Sequence, residues 1–188
     1  MSGGQGCDAA AQKLMPVAQA LEKLLAEVKL TPSVEELDIA DVLGRVLAED
    51  QLSSVDVPPQ DNSAMDGYAL NSADVVEGGR LSVSQRIPAG TAPLPLEQGT
   101  AARIFTGSEI PLGADTVVMQ ENTVTGETDG VVWVEINQAV VTGNNIRERG
   151  QDIRSEQIVM AAGTRLQAMH LGVLASVGVG RVAVYRQL

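Results

Sequence analysis

Val57-Pro58-Pro59-Gln60-Asp61-Asn62-Ser63-Ala64-Met65-Asp66-Gly67-Tyr68-Ala69-Leu70 is the stretch around which the rest of the chain is organised. The two prolines fix φ and forbid helix. Gln60 to Ser63 carry short polar side chains that hydrogen-bond their own backbone and favour turns. Asp66-Gly67 reads as a tight-turn dipeptide, and Tyr68-Ala69-Leu70 as the start of a strand. Met65 and Tyr68 stand on either side of Asp66-Gly67, where buried apolar neighbours would hold the carboxylate in one place. On chemistry alone a functional loop and a structural turn are equally open, because rigidly flanked loops commonly carry sites.

Towards the N-terminus, Pro16 suits the first helical position. Val17, Leu21, Leu24, Leu25 and Val28 then make one apolar stripe, which predicts a helix over 16–28. Ile39, Val42, Leu43, Val46 and Leu47 predict a second helix over 39–48. Gly44 costs about 1 kcal/mol inside it relative to alanine, so either close backbone packing or a helix break explains the glycine. Beyond the central stretch, Leu81–Val83, Ala101–Phe105, Thr116–Gln120 and Val131–Ile136 are short apolar runs separated by Gly, Pro, Asn and Asp. Thr128-Asp129-Gly130 is a hairpin signal. Ile146 to Ile153 is charged and turn-rich, and Gln157–Met160 is a short strand. Ala168–Val177 follows as a helix that Gly178 is placed to close in the left-handed conformation. Arg181–Tyr185 is a final strand, and no internal period recurs.

These patterns predict a mixed α+β fold. One helix/strand domain is built from residues 30–52 and 142–180, with an all-β domain, barrel-like or sandwich-like, inserted over 53–141. Residues 1–15 are expected to be a disordered leader, and 181–188 to open a further domain.

Composition narrows the function classes. The 188 residues suffice for a real core, but aromatics are only 2%, so that core is aliphatic. Thirteen Lys and Arg against 24 Asp and Glu give a formal charge of −11. Nucleic-acid binding needs a basic face and aromatic platforms, and neither is present. An anionic ligand would need a local arginine cluster or a metal ion to offset the overall field. Cys7 is the only cysteine, which excludes an intrachain disulfide and fits a reducing compartment. No signal pattern or apolar run of membrane length is present, so no membrane partner and a cytoplasmic location are expected.

Asp61-Asn62-Ser63-Ala64-Met65-Asp66-Gly67-Tyr68-Ala69 resembles the central motif of the molybdopterin molybdenumtransferases, bacterial MoeA-type enzymes similar to the C-terminal domain of gephyrin. Further blocks match in the right order. They are Gly44-Arg45-Val46-Leu47-Ala48; Arg103-Ile104-Phe105-Thr106-Gly107 with Pro111, Gly113-Ala114-Asp115 and Glu121; and Asn145-Ile146-Arg147 with Gly150-Gln151-Asp152-Ile153. The likeness spans about Pro16 to Tyr185 and corresponds to the front half of the family enzyme. What the resemblance implies is insertion of molybdate into adenylylated molybdopterin, with release of AMP and assistance from Mg²⁺. It also implies a homodimer in which this half faces the α/β domain of the other subunit. The helix over 16–29 would then pack on an α/β domain outside this chain, and the chain alone would be inactive. A non-catalytic interaction module of gephyrin type is the rival: an apolar groove near the β domain would favour it, and a polar, Arg-lined cleft around Asp66 the enzyme.

By the same resemblance Asp66, Thr106 and Asp152 are the candidate catalytic residues, with Ser63, Gly67, Gly107 and Arg147 as candidate cofactor-binding residues. Asp66 is also the candidate metal ligand, although Asp56, Asp61 and Asp66 do not follow the calcium-loop pattern. Asp56 and Asp61 read as solvated turn carboxylates. Thr106-Gly107 ends an apolar strand where a hydroxyl and a flexible backbone can approach an anion, and no P-loop motif follows. Arg147, Arg149 and Arg154 suit oxyanions through their planar forks, or serve as surface ion pairs with neighbouring carboxylates. His170 is the only histidine and sits in a helical pattern, as a packed or half-exposed residue.

Overall fold

The computed structural model describes residues 15–28, 33–76 and 78–187. The leader expected over 1–15, with Cys7, lies outside the described residues except for Met15. Among those described, the chain is mostly sheet with two α-helices, α1 (Val17–Glu27) and α2 (Ala168–Ser176). The strands of the first half are β1 (Val34–Asp38), β2 (Gln51–Leu52), β3 (Asn62–Ser63), β4 (Gly67–Leu70), β5 (Arg80–Ile87) and β6 (Thr100–Ile104). Those of the second half are β7 (Thr116–Met119), β8 (Thr123–Thr128), β9 (Val131–Ile136), β10 (Ile146–Arg147), β11 (Ile158–Met160) and β12 (Arg181–Tyr185).

Six strands form one sheet in the order β7-β4-β6-β5-β9-β8, antiparallel except where β5 runs parallel to β6. β4 lies between β7 and β6 and is buried along its whole length. Its period-two alternation feeds two cores. Tyr68 and Leu70 pack with Leu81, Val118, Val134 and Ile136, while Ala69 packs with Ile87, Ala102, Ile104 and Val117. The β8–β9 hairpin turns through Asp129 (φ 53°) and Gly130 (φ 79°), the left-handed pair that the Asp-Gly signal predicts.

A further core joins distant segments. Val42 and Leu47 pack with Met160, Leu166, Leu174, Val182 and Val184. β12 pairs antiparallel with β1, and β11 with β2. Two valines of β12, Val182 and Val184, complete this core. Gly178 closes α2 at φ 80°, as its position predicts.

The helix expected over 39–48 does not form. Only a 3₁₀ turn, Ile39–Asp41, is present, capped by the Asp38 carboxylate accepting from the Ala40 N–H at 3.1 Å. Gly44 then adopts φ 82°, which breaks the helix, and the Leu47 N–H donates to the Thr164 carbonyl at 3.0 Å. Long-range backbone pairing outweighed the local apolar spacing, and Leu43, expected on the buried stripe, is 62% exposed. α1 does form, with Pro16 as its cap rather than its first residue. Its stripe stays open: among the described residues nothing buries Val17, Leu21, Leu24, Leu25 or Val28.

Candidate functional site

The turn between β3 and β4 is clamped from two sides. β3 pairs with β10, and the Ala64 N–H donates to the Asn145 carbonyl at 2.9 Å. On the other side the Ser63 N–H donates to the Ser108 carbonyl at 2.9 Å, and the Gly107 N–H to the Ser63 carbonyl at 2.8 Å. The buried Ser63 hydroxyl closes the turn on itself, donating to the Met65 carbonyl at 2.6 Å. Short polar side chains form this turn because they replace the backbone partners that a sharp reversal removes.

Asp66 emerges from that turn facing the end of β6. Its Oδ1 accepts from both the N–H and the hydroxyl of Thr106, each at 2.8 Å. Its carbonyl accepts from the Gln120 N–H at 3.1 Å. The two Thr106 bonds, N–H first, hold the carboxyl below its usual value; the Arg103 charge adds to this and partial desolvation opposes it. Asp66 is therefore an anion at neutral pH, with its second oxygen outside these bonds. Gly107 follows Thr106 at φ 81° with open space around it, the turn freedom its position suggested.

Gly67 is a glycine for a different reason from the tight turn expected of it. It is the first residue of β4, and a Cβ there would lie 2.0 Å from the Val118 carbonyl oxygen of β7. Close approach of two backbones excludes any side chain.

Arg103 completes the setting and was not singled out by sequence reasoning. Its Nη1 donates to the Gly67 carbonyl at 2.8 Å and its Nη2 to Gln120 Oε1 at 2.5 Å. Its guanidinium lies 5.3 Å from the Tyr68 ring centroid and 4.6 Å from that of Phe105. The available signal was a lone arginine inside the apolar run Ala101-Ala102-Arg103-Ile104.

The second candidate group lies on β10 and the loop that follows it. Arg147 on β10 pairs with Asp152 at 2.5 Å, and the Asp152 N–H donates to the Val57 carbonyl at 2.9 Å. Among the described residues no hydrogen bond or ion pair links Asp152 to Asp66 or Thr106. Asp56 is a half-buried anchor, and Asp61, exposed as a turn carboxylate, also accepts a backbone bond from the 147–155 loop. Asp56 accepts from the Ser155 N–H at 2.8 Å and from Arg149 Nε at 2.6 Å, while Asp61 accepts from the Arg149 N–H at 2.7 Å. The Ser155 N–H and Arg149 hold the Asp56 carboxyl below its usual value. Asp56→Ala is accordingly expected to loosen the 147–155 loop, with amide exchange at Ser155 rising about tenfold when that charge-assisted bond is lost. Hydrogen exchange read residue by residue checks this; unchanged exchange at Ser155 would show the loop is held by other bonds. His170 accepts the Gln167 N–H at 3.2 Å through Nδ1, a cap on α2 in keeping with the helix role expected of it.

Among the described residues no group of three or more His, Cys, Asp or Glu is placed to hold a metal ion. Asp66 offers one carboxylate oxygen. No helix among them is long and apolar enough to cross a membrane.

The fold and the sequence both have counterparts. Residues 15–178 match the family model described as MoeA N-terminal region (domain I and II). The chain is 36% identical to a molybdopterin molybdenumtransferase of Haemophilus influenzae, over 93% of its own length and 43% of that protein. It is 36% identical to a molybdopterin molybdenumtransferase of Synechococcus elongatus over 93% of this chain and 44% of that one. It also resembles a gephyrin of Dictyostelium discoideum at 33% identity, covering 94% of this chain and 26% of that protein. A solved structure, a molybdopterin biosynthesis MoeA protein of Pyrococcus horikoshii, superposes with a TM-score of 0.80 at 32% identity, over 92% of this chain and 46% of that one. The chain thus spans less than half the length of these relatives. A family match over most of its residues, joined to the same fold in a solved relative, shows that the chain belongs to the MoeA N-terminal region family.

Proposed function

We propose that the chain acts as the N-terminal part of a molybdopterin molybdenumtransferase, inserting molybdate into adenylylated molybdopterin with release of AMP. The observation that carries this is Asp66, an ionised carboxylate with one oxygen fixed by Thr106 and the other uncommitted. A fixed anion at a strand end can orient a substrate or hold a cation without reorganising during the reaction. The setting is polar and arginine-bearing, through Arg103 and Gln120, which favours the enzyme over the gephyrin-like scaffold.

In this reading Asp66 and Thr106 act as one unit, and the Arg147–Asp152 pair approaches the substrate from the β10 side. Ser63 and Gly107 position the Asp66 turn and the Thr106 loop against the cofactor. Gly67 contributes by letting β4 sit against β7 rather than by touching ligand. Mg²⁺ would be held by one oxygen of Asp66, and the described residues do not complete its coordination. The remaining groups would come from an α/β domain, supplied by the other subunit of a cytoplasmic homodimer, and α1 would dock on such a domain. The chain alone is then inactive. One set of buried residues shared by Val42, Leu47 and 160–184, and two sets whose buried members lie within 68–136, support reading 53–141 as an all-β insert between 30–52 and 142–180.

The test is a chimera in which this chain replaces the matching region of the Haemophilus influenzae transferase. Insertion of molybdenum and release of AMP within about tenfold of the parent are expected, because the Asp66–Thr106 geometry is carried over intact. A folded, dimeric chimera that releases no AMP overturns the reading.

A further inference from the structure

We propose that Arg86 and Arg103 form a binding site for a phosphate monoester, in the groove beside Tyr68 on the face of the six-stranded sheet. Arg86 on β5 stands directly opposite Arg103 on the parallel strand β6. Like charges placed opposite each other destabilise a sheet. Among the described residues neither has a carboxylate within ion-pair distance, whereas Arg45, Arg80, Arg147, Arg149 and Arg181 each have one. Arg154, Arg165 and Arg186 also lack such a partner, but among the described residues only Arg86 and Arg103 stand opposite each other across a strand pair. The repulsion they keep is what a dianion would relieve.

The pair is also built to receive one. Arg103 is fixed by its bonds to the Gly67 carbonyl and to Gln120, while Arg86 makes none among the described residues and is exposed. Both guanidinium carbons lie 4.6 Å from the centroid of the Phe105 ring, whose quadrupole steadies them without neutralising them. One fixed fork and one adjustable fork suit the three terminal oxygens of a phosphoryl group. Beside them runs a groove of about 470 Å³ that Tyr68, Val83 and Val132 help to line. That volume lies in the range that holds an organic ligand and exceeds what a bare oxyanion fills. Apolar walls ending at two cations select a phosphate carried on an apolar or planar body.

This goes beyond molybdenum transfer, because binding is read without turnover and its failure would leave that reading intact. The 188-residue chain is titrated with phenyl phosphate and with inorganic phosphate, following the amide signals of Arg86, Arg103 and Val132 by NMR. Phenyl phosphate is expected to bind about tenfold tighter than inorganic phosphate, a difference of about 1.4 kcal/mol. Arg86→Gln, which removes an exposed side chain without hydrogen bonds, is expected to weaken phenyl phosphate about tenfold, with signals of the aliphatic core unmoved. Val132→Glu, adding a negative charge to the far wall, weakens it too. No shift at Arg86 and Arg103, an unchanged affinity in Arg86→Gln, or equal affinity for the two phosphates would overturn the assignment.

Discussion

Replacing Asp66 by Asn in the active chimera is expected to lower molybdenum insertion on the order of a hundredfold or more, with little change in the thermal midpoint. Asn keeps the size of the side chain and an Oδ1 that still accepts from the N–H and hydroxyl of Thr106. The turn also keeps its own supports, through Ser63 and the Asp66 carbonyl. What is lost is the charge on the uncommitted oxygen. The pH behaviour follows from the direction of the shift. A carboxyl whose folded value is lowered contributes stability that is fully present above its unfolded value of 3.8 and is lost as pH falls through the folded value below that. Asp66 therefore stays ionised from neutral pH down to about pH 5 and sets no acid limb in that range. Normal insertion by Asp66→Asn, measured by AMP release, refutes the catalytic role. A loss matched by unfolding of the variant would instead assign Asp66 to the turn.

The parts of the fold legible in the sequence are those decided within a few residues. Asp129-Gly130 forms its hairpin because both positions accept positive φ, and Gly178 ends α2 for the same reason. β9 and α2 follow their apolar patterns closely. The parts that were not legible are decided far along the chain. Val34-Glu35-Glu36-Leu37-Asp38 carries no strand signal; it is a strand because Arg181–Tyr185 lies alongside it. The spacing of Val42 and Leu47 fits a helix, yet both face one core only because a left-handed Gly44 and the Thr164 carbonyl redirect the backbone. Asp56 looked like a free carboxylate because its partners, Arg149 and Ser155, are 93 and 99 residues away. The same limit applies to the site. Asp66 and Thr106 were found through motif resemblance, 40 residues apart. The Arg103 side chain that holds the Gly67 carbonyl beside them becomes visible only once β4 and β6 are paired.

Gly67→Ala is expected to destabilise the chain by about 3 kcal/mol, at the upper end of the usual cost of overpacking. The atom a methyl group would meet is the Val118 carbonyl oxygen, 2.0 Å from the ideal Cβ position, and the next is the Val118 carbonyl carbon at 2.9 Å. Both belong to backbone, so no side chain can rotate away. Relief requires β4 and β7 to separate. That would disturb the pairing of Tyr68 with Val118 and of Ala69 with Val117 at the centre of two cores. Gly107→Ala provides the contrast. Its φ of 81° is unfavourable for alanine, but nothing lies within 4 Å of its Cβ position. Its cost is the left-handed conformation alone, about 1 kcal/mol. For a chain of this size the difference in thermal midpoint is roughly 4–8 °C. Thermal and urea unfolding of the two variants decide it. If Gly67→Ala unfolds no earlier than Gly107→Ala, the spacing of β4 and β7 does not constrain the fold. If instead it unfolds much earlier, the glycine after Asp66 is explained by backbone approach, and direct contact with a ligand is not needed to account for it.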